Sequence, residues 1–188
     1  MRRKRTTNNQ SNEKNPLQHL TPHHRTRNMF RLASVTALAV LGSTANAQHH
    51  HHDVIEIEHL GVYPGYEGHH IEGGATLYFE EEGHVVIAYR LEGVEEACRE
   101  PNASAANSCG IHIHAGTSCA NATAPAGHYY NASKFESDPW AHVVYDVHRH
   151  GFTNASFGYN KEETEGHTFV VHNHAGARVT CTVIPHHE

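Results

Sequence analysis

The sequence predicts an all-β domain, a sandwich or barrel of short antiparallel strands. Two observations carry this. Between residues 53 and 185 the apolar residues gather in short β-type runs with Gly-rich turns between them, and no stretch sustains a 3.6-residue apolar period. Several short strands at that spacing are the pattern of two-layered antiparallel folds. At 188 residues the chain has room for one domain of ordinary size.

In chain order, residues 1–28 are polar and basic (Arg2, Arg3, Lys4, Arg5, Lys14, Arg25, Arg27) and too poor in apolar residues to build a core. Met29 to Leu41 is apolar, flanked by Arg25, Arg27 and Arg31, and followed by Ala45-Asn46-Ala47. This reads as a secretory signal peptide, too short to cross a bilayer, with Met29 as an alternative start. The expected organisation is a basic extension plus signal peptide over 1–47, a His-rich tract over 48–52 and one β-sandwich domain over 53–188. The tract His49 to His52 reads as a solvated tail or a loose metal-gathering arm. The predicted strands are DVIEIEHLGVYPG, GGATLYFEEEG, HVVIAYRLEG, CGIHIHAG, HVVYDV, HTFVVHNHAG and ARVTCTVIP, with Gly73-Gly74 and Gly83 as bulge or hairpin positions.

Charge and cysteine set the environment. Eight of the 14 Lys and Arg lie in residues 1–47, so the mature chain keeps six against 19 of the 20 acidic residues. Such a surface argues against nucleic acid or an anionic membrane as partner. Cys98, Cys109, Cys119 and Cys181 are an even count in an exported chain and lack C-x-x-C spacing. Two disulfides are expected, with three pairings open. Four sequons, at Asn102, Asn121, Asn131 and Asn154, fall in segments that read as loops and point to a secreted eukaryotic glycoprotein.

Most of the 22 histidines must be surface residues, so the informative ones are those in an organised setting. In Gly110-Ile-His-Ile-His114, strand alternation sends Ile111 and Ile113 into the core and His112 and His114 together to the outer face, where two imidazoles can chelate one ion. A second group follows, with Thr168 to Val171 leading into His172 and Arg178 to Cys181 opening the last strand. His128 lies in a loop that starts at Cys119.

The string CGIHIHAGTSCANATAPAGHYYN, then DPW, then GHTFVVHNHAGARVTCTVI, resembles the copper/zinc superoxide dismutase superfamily, and within it the copper-only, SOD-repeat type. The likeness spans about residues 53 to 185. It implies a Greek-key antiparallel β-sandwich or barrel and an extracellular, antioxidant superoxide dismutase. By the same resemblance His112, His114 and His172 hold copper, and His128 is the ligand that lets go on reduction and handles a proton. Arg178 guides superoxide, Cys119 pairs with Cys181, and Cys98 and Cys109 form the second bridge. The family's two further zinc histidines and aspartate have no counterpart: His142, His148, His150 and His167 lack their spacing, so no zinc is expected. Only Asn173 to Ala177 separate His172 from Arg178, which implies an open copper face.

Asp138 is the first expectation for the carboxylate that orients His128, and Asp146 the second. His174 is placed on the His172 strand as a surface residue, and His142, His148 and His150 also as surface residues. Superoxide is the expected partner, with no membrane span and a monomeric chain. The rival from another class is a copper-binding or copper-delivery protein of the same fold, with His49 to His52 as its capture arm; a purely structural adhesive domain is the third reading.

Overall fold

The computed structural model describes residues 53–186, so the leader and the histidine tract lie outside the described residues. Seven strands form two antiparallel sheets: β1 Asp53–Ile57, β2 Glu72–Glu80, β3 His84–Glu92, β4 Ile111–His114, β5 His150–Ser156, β6 Thr168–Val171 and β7 Thr182–Val183. One sheet runs β1-β2-β3-β5 and the other β4-β6-β7. The chain passes from one sheet to the other between β3 and β4, β4 and β5, and β5 and β6, the crossing connectivity of a Greek-key sandwich rather than a sequential meander. The one α-helix among the described residues, α1 over Lys161–Thr164, is a single turn held by a capping box between Asn160 and Glu163. No helix among them is long and apolar enough to cross a membrane.

Strand alternation builds one core between the sheets. Ile55, Leu77, Val85, Ile87 and Leu91 from the larger sheet meet Ile111, Ile113, Phe169 and Val171 from the smaller, and Trp140, Tyr145 and Phe157 close the ends. All are nearly inaccessible to water, and each large side chain so buried contributes about 1.5–3 kcal/mol. The inward set on β4 and β6 is odd-numbered, so the even-numbered His112, His114, Thr168 and Val170 lie on the opposite face.

Four expectations are corrected. HVVYDV is not a strand: Val143 and Tyr145 pair only with the entry to β4, through Ile111 N to Val143 O (3.3 Å) and Tyr145 N to Cys109 O (2.9 Å). The Val143 carbonyl also faces the His112 ring, so the ladder goes no further. The Asn154 sequon lies not in a loop but on β5, a strand missed because only Ala155 of its seven residues is buried. Gly73 and Gly74 sit inside β2 in unbroken register with Leu91 and Arg90, where a Cβ on Gly73 would strike the Arg90 carbonyl. Gly83 does close the β2–β3 hairpin. The last run is strand only at Thr182–Val183, with Arg178 and Thr180 making single bridges to His172 and Val62.

Two disulfides staple the sandwich, Cys98–Cys109 and Cys119–Cys181, with Cα–Cα separations of 5.7 and 5.8 Å. The second closes 62 residues of chain against 11 for the first. In the chain-entropy picture it restrains the unfolded state by about 4 kcal/mol against about 3. Non-reducing peptide mapping should return these two pairs. Replacing both Cys119 and Cys181 by Ala should lower unfolding stability by about 4 kcal/mol in denaturant titration. Any Cys98–Cys181 peptide would contradict the pairing.

Candidate metal centre

β4 is flanked on both edges by backbone that brings further imidazoles to its outer face. Along β6, His112 opposes Val170 and His114 opposes Thr168. His172, two residues beyond Val170, keeps that face, because its N–H still donates to Gly110 O at 2.8 Å. On the other edge the segment after Gly127 pairs with β4: Ala115 N donates to Gly127 O (2.8 Å) and Tyr129 N to Ile113 O (2.9 Å), which sets His128 directly opposite His114. Four rings from three segments therefore stand on one face. Gly110 makes room for the first, since a Cβ there would fall against the His112 ring.

One ligand atom from each of His112, His114, His128 and His172 lies within 4.8 Å of every other, the one such group of titratable side chains among the described residues. Ring centroids are 4.4 Å apart for His112–His128, 4.9 Å for His114–His128 and 5.0 Å for His112–His172. The rings are not on an open surface. His112, His114 and His172 are buried to within about 1 % of full inaccessibility, and the His128 side chain is 9 % exposed. The expected open face is thus narrowed: the rings are nearly inaccessible even though the segment after His172 is short, and the loop after Cys119 reaches His114 through the Ala126 carbonyl.

Hydrogen bonding decides which nitrogen of each ring faces inward. His112 Nε2 lies 2.9 Å from Val143 O, His114 Nδ1 3.1 Å from Ala126 O and His172 Nδ1 3.0 Å from Gly176 O. A carbonyl can only accept, so each of these nitrogens carries the N–H. The remaining nitrogens, His112 Nδ1, His114 Nε2 and His172 Nε2, are buried with no partner. Burial pushes the rings away from the charged form: His114 is held down at about 3, His172 at about 4, and His112 well below its ordinary value. Each neutral ring therefore aims a lone pair at the same point.

His128 completes the group differently. Its Nδ1 lies 2.6 Å from Asp138 Oδ2, leaving Nε2 for the centre. Asp138 is itself fixed, because its Oδ1 accepts from Trp140 N (2.9 Å) at the start of the 3-10 turn Pro139–His142. Asp146 is elsewhere, its N–H on the Tyr89 hydroxyl.

The three converging lone pairs of His112, His114 and His172 cannot satisfy one another, since none of them brings a hydrogen. Left so, each buried acceptor costs about 1–3 kcal/mol. A cation that prefers imidazole removes that cost, and hydrogen-bonded outer nitrogens are how metal-binding histidines are held. The residues thus fit a metal, and their donor set suits copper or zinc.

Arg178 sits beside the group. Its Nη2 donates to Ala126 O (2.6 Å), the carbonyl that also holds His114, and its Nη1 to the Tyr63 hydroxyl (3.0 Å). Tyr63 in turn donates to Ala122 O (2.5 Å). The guanidinium charge helps depress His114 and His172. The other named histidines stay outside the group. His174 follows the end of β6 in a turn, with its N–H on Glu95, while His142, His148 and His150 are exposed. His167 bonds Ala115 O and stacks on Tyr129 at 3.8 Å. Sequence reasoning missed Tyr63, whose GVYPG setting reads only as a turn, and Tyr145, whose hydroxyl donates to His172 O (2.8 Å). It also passed over Gly110, although a glycine directly before H-x-H is a usable signal of close ring packing.

No protein-family model matches the sequence, and no curated protein matches it. Among solved structures, the chain is similar to Candida albicans superoxide dismutase 5. Against a point mutant of that protein the identity is 17 %, with 71 % of this chain and 94 % of the other covered and a TM-score of 0.46. Against its Cu(II) form the identity is 19 %, with coverage of 71 % and 94 % and a TM-score of 0.42.

Neutral buried rings give metal-free protein a pH signature. The folded state keeps His114 and His172 unprotonated down to about 3 and about 4, while the unfolded chain binds protons near 6.5. Stability should be complete above pH 6.5 and fall as pH drops toward 4, by up to about 1.4 kcal/mol per pH unit for each ring. Thermal melts of metal-free protein from pH 8 to 4 should show this, and His114→Gln should flatten the slope.

Proposed function

We propose that this chain is an extracellular copper-only superoxide dismutase, converting two superoxide anions and two protons to oxygen and hydrogen peroxide. The observation that carries the proposal is the convergence of unpartnered imidazole nitrogens from His112, His114 and His172, with His128, beside a fixed guanidinium. Imidazole donors suit copper in both oxidation states. Copper bound there would supply the one-electron chemistry, accepting an electron from one superoxide and returning it to the next.

The chain's own residues account for the rest. Arg178, held by Ala126 O and the Tyr63 hydroxyl, offers a positive charge that attracts a small anion to the face otherwise walled by neutral rings. His128 is the proton-handling ligand. Asp138 keeps its Nδ1–H and its ring plane fixed, so Nε2 alone can exchange a metal for a proton. Val143, Ala126 and Gly176 hold the other three rings in place through the change. A zinc site would use four imidazoles equally well but has no need of a guanidinium beside them, so no zinc is included. The organisation proposed with this activity is a basic extension plus secretory signal peptide over 1–47, a His-rich tract over 48–52 and the folded domain over 53–188. The mature protein carries glycans at Asn102, Asn121, Asn131 and Asn154.

Purified mature protein should carry about one tightly held copper and no stoichiometric zinc by elemental analysis. Arg178→Glu should leave copper content nearly unchanged and cut dismutation at least about tenfold, with part of the defect relieved by salt, since the field is screened over about 10 Å at 0.1 M. His172→Ala should lose copper and activity together. Firm copper binding with no dismutation to lose would instead favour copper delivery.

A further inference from the structure

Phe152 is the most exposed large hydrophobic side chain among the described residues, at 77 %, against 47 % for Val62, the next. It lies on β5, at the edge of the four-stranded sheet, on the face turned away from the core. Two residues on, Asn154 of the sequon Asn-Ala-Ser shares that face, with the two Cα atoms about 7 Å apart. The register with β3 sets Phe152 opposite Ala88 and Asn154 opposite Val86, so no bulky side chain directly across stands over either.

The carboxamide of Asn154 lies against the His84 ring. Its Oδ1 lies 3.3 Å from His84 Nε2, and His84 pairs with Ser156, beyond Asn154 from Phe152. His84 is held in turn by Glu80 Oε2 at 2.8 Å. Phe152 lies along the strand on the opposite side of Asn154 from Ser156. A depression of about 380 Å³ bordered by Gly74, Thr76, Ala88 and Phe152, with Glu56 and Arg90 at its rim, leaves room on that side.

We infer that Phe152 is the platform for the first sugar of a glycan at Asn154, so that carbohydrate completes the outer face of this sheet. An N-acetylglucosamine ring has an apolar C–H face that packs on an aromatic ring, and hydroxyls on its edge that can donate to Glu56 and accept from Arg90 at the depression's rim. The inference rests on the proposal that Asn154 is glycosylated. In that transfer Nδ2 forms a bond to the sugar C1 and gives up a proton, while the C1–oxygen bond to a pyrophosphate carrier breaks.

The test uses wild type, Asn154→Gln, Phe152→Ser and the double variant, all from one glycosylating host so that the other three sequons are treated alike. Glycopeptide mass spectrometry should find Asn154 occupied. Asn154→Gln should lower Tm by about 3 °C in the wild-type background and by less than about 1 °C when Phe152 is already Ser. The same four proteins made without glycosylation should show no such coupling. In wild type, proton NMR should find the first sugar's ring protons shifted upfield by the Phe152 ring, a shift lost in Phe152→Ser. If Asn154 is occupied but its removal costs the same in both backgrounds and no upfield shift is seen, the platform is overturned while glycosylation stands. An unoccupied Asn154 overturns both.

Discussion

The structure turns on one constraint: a neutral imidazole whose outer nitrogen faces a carbonyl must present a lone pair with its other nitrogen. His112, His114 and His172 all obey it, toward Val143, Ala126 and Gly176. Because the three rings share a buried face, their lone pairs meet with nothing to accept from. Protonation would relieve the conflict in water, but burial disfavours the charged form and the neighbouring rings and Arg178 add to that. A metal ion is the remaining remedy, and the fold is arranged to hold the conflict open until one binds.

That arrangement begins with the period of the β-strand. Alternation on β4 commits Ile111 and Ile113 to the core, and by the same geometry commits His112 and His114 to the other face. Neither set can slip register without exposing the other. The loop after Cys119 is then tied in two ways. Cys119–Cys181 joins it to the last strand, and Ala122 and Ala126 hold it to Tyr63 and Arg178. One carbonyl, that of Ala126, fixes both a ring of the centre and the guanidinium beside it, so the positive charge is set in place together with the ring.

The sandwich and the His112–His114 pair were legible because both follow from period-2 alternation, a local property of sequence. His172 was legible as the next residue after a buried strand. His128 was not: nothing near Gly127 signals a return to β4, and only resemblance pointed to it. Asp138 could be named from the DPW turn, since a residue that caps such a turn has a second carboxylate oxygen free. Tyr63, about 115 positions from the arginine it holds, carries no local signal at all. The two element errors share a cause. HVVYDV has strand composition but spends its Val143 carbonyl on a ring, whereas β5 has a loop's composition but finds a long partner in β3. In both, partner availability overrode propensity.

The central claim is about where three protons sit, and imidazole nitrogen NMR on metal-free protein near neutral pH reads that directly. His112 should be the Nε2–H tautomer, and His114 and His172 the Nδ1–H tautomer. Adding Cu(I), which is diamagnetic, should then move the bare nitrogen of each: Nδ1 of His112 and Nε2 of the other two. Protonated rings at neutral pH, or a tautomer with its N–H turned inward, would contradict the account at its root.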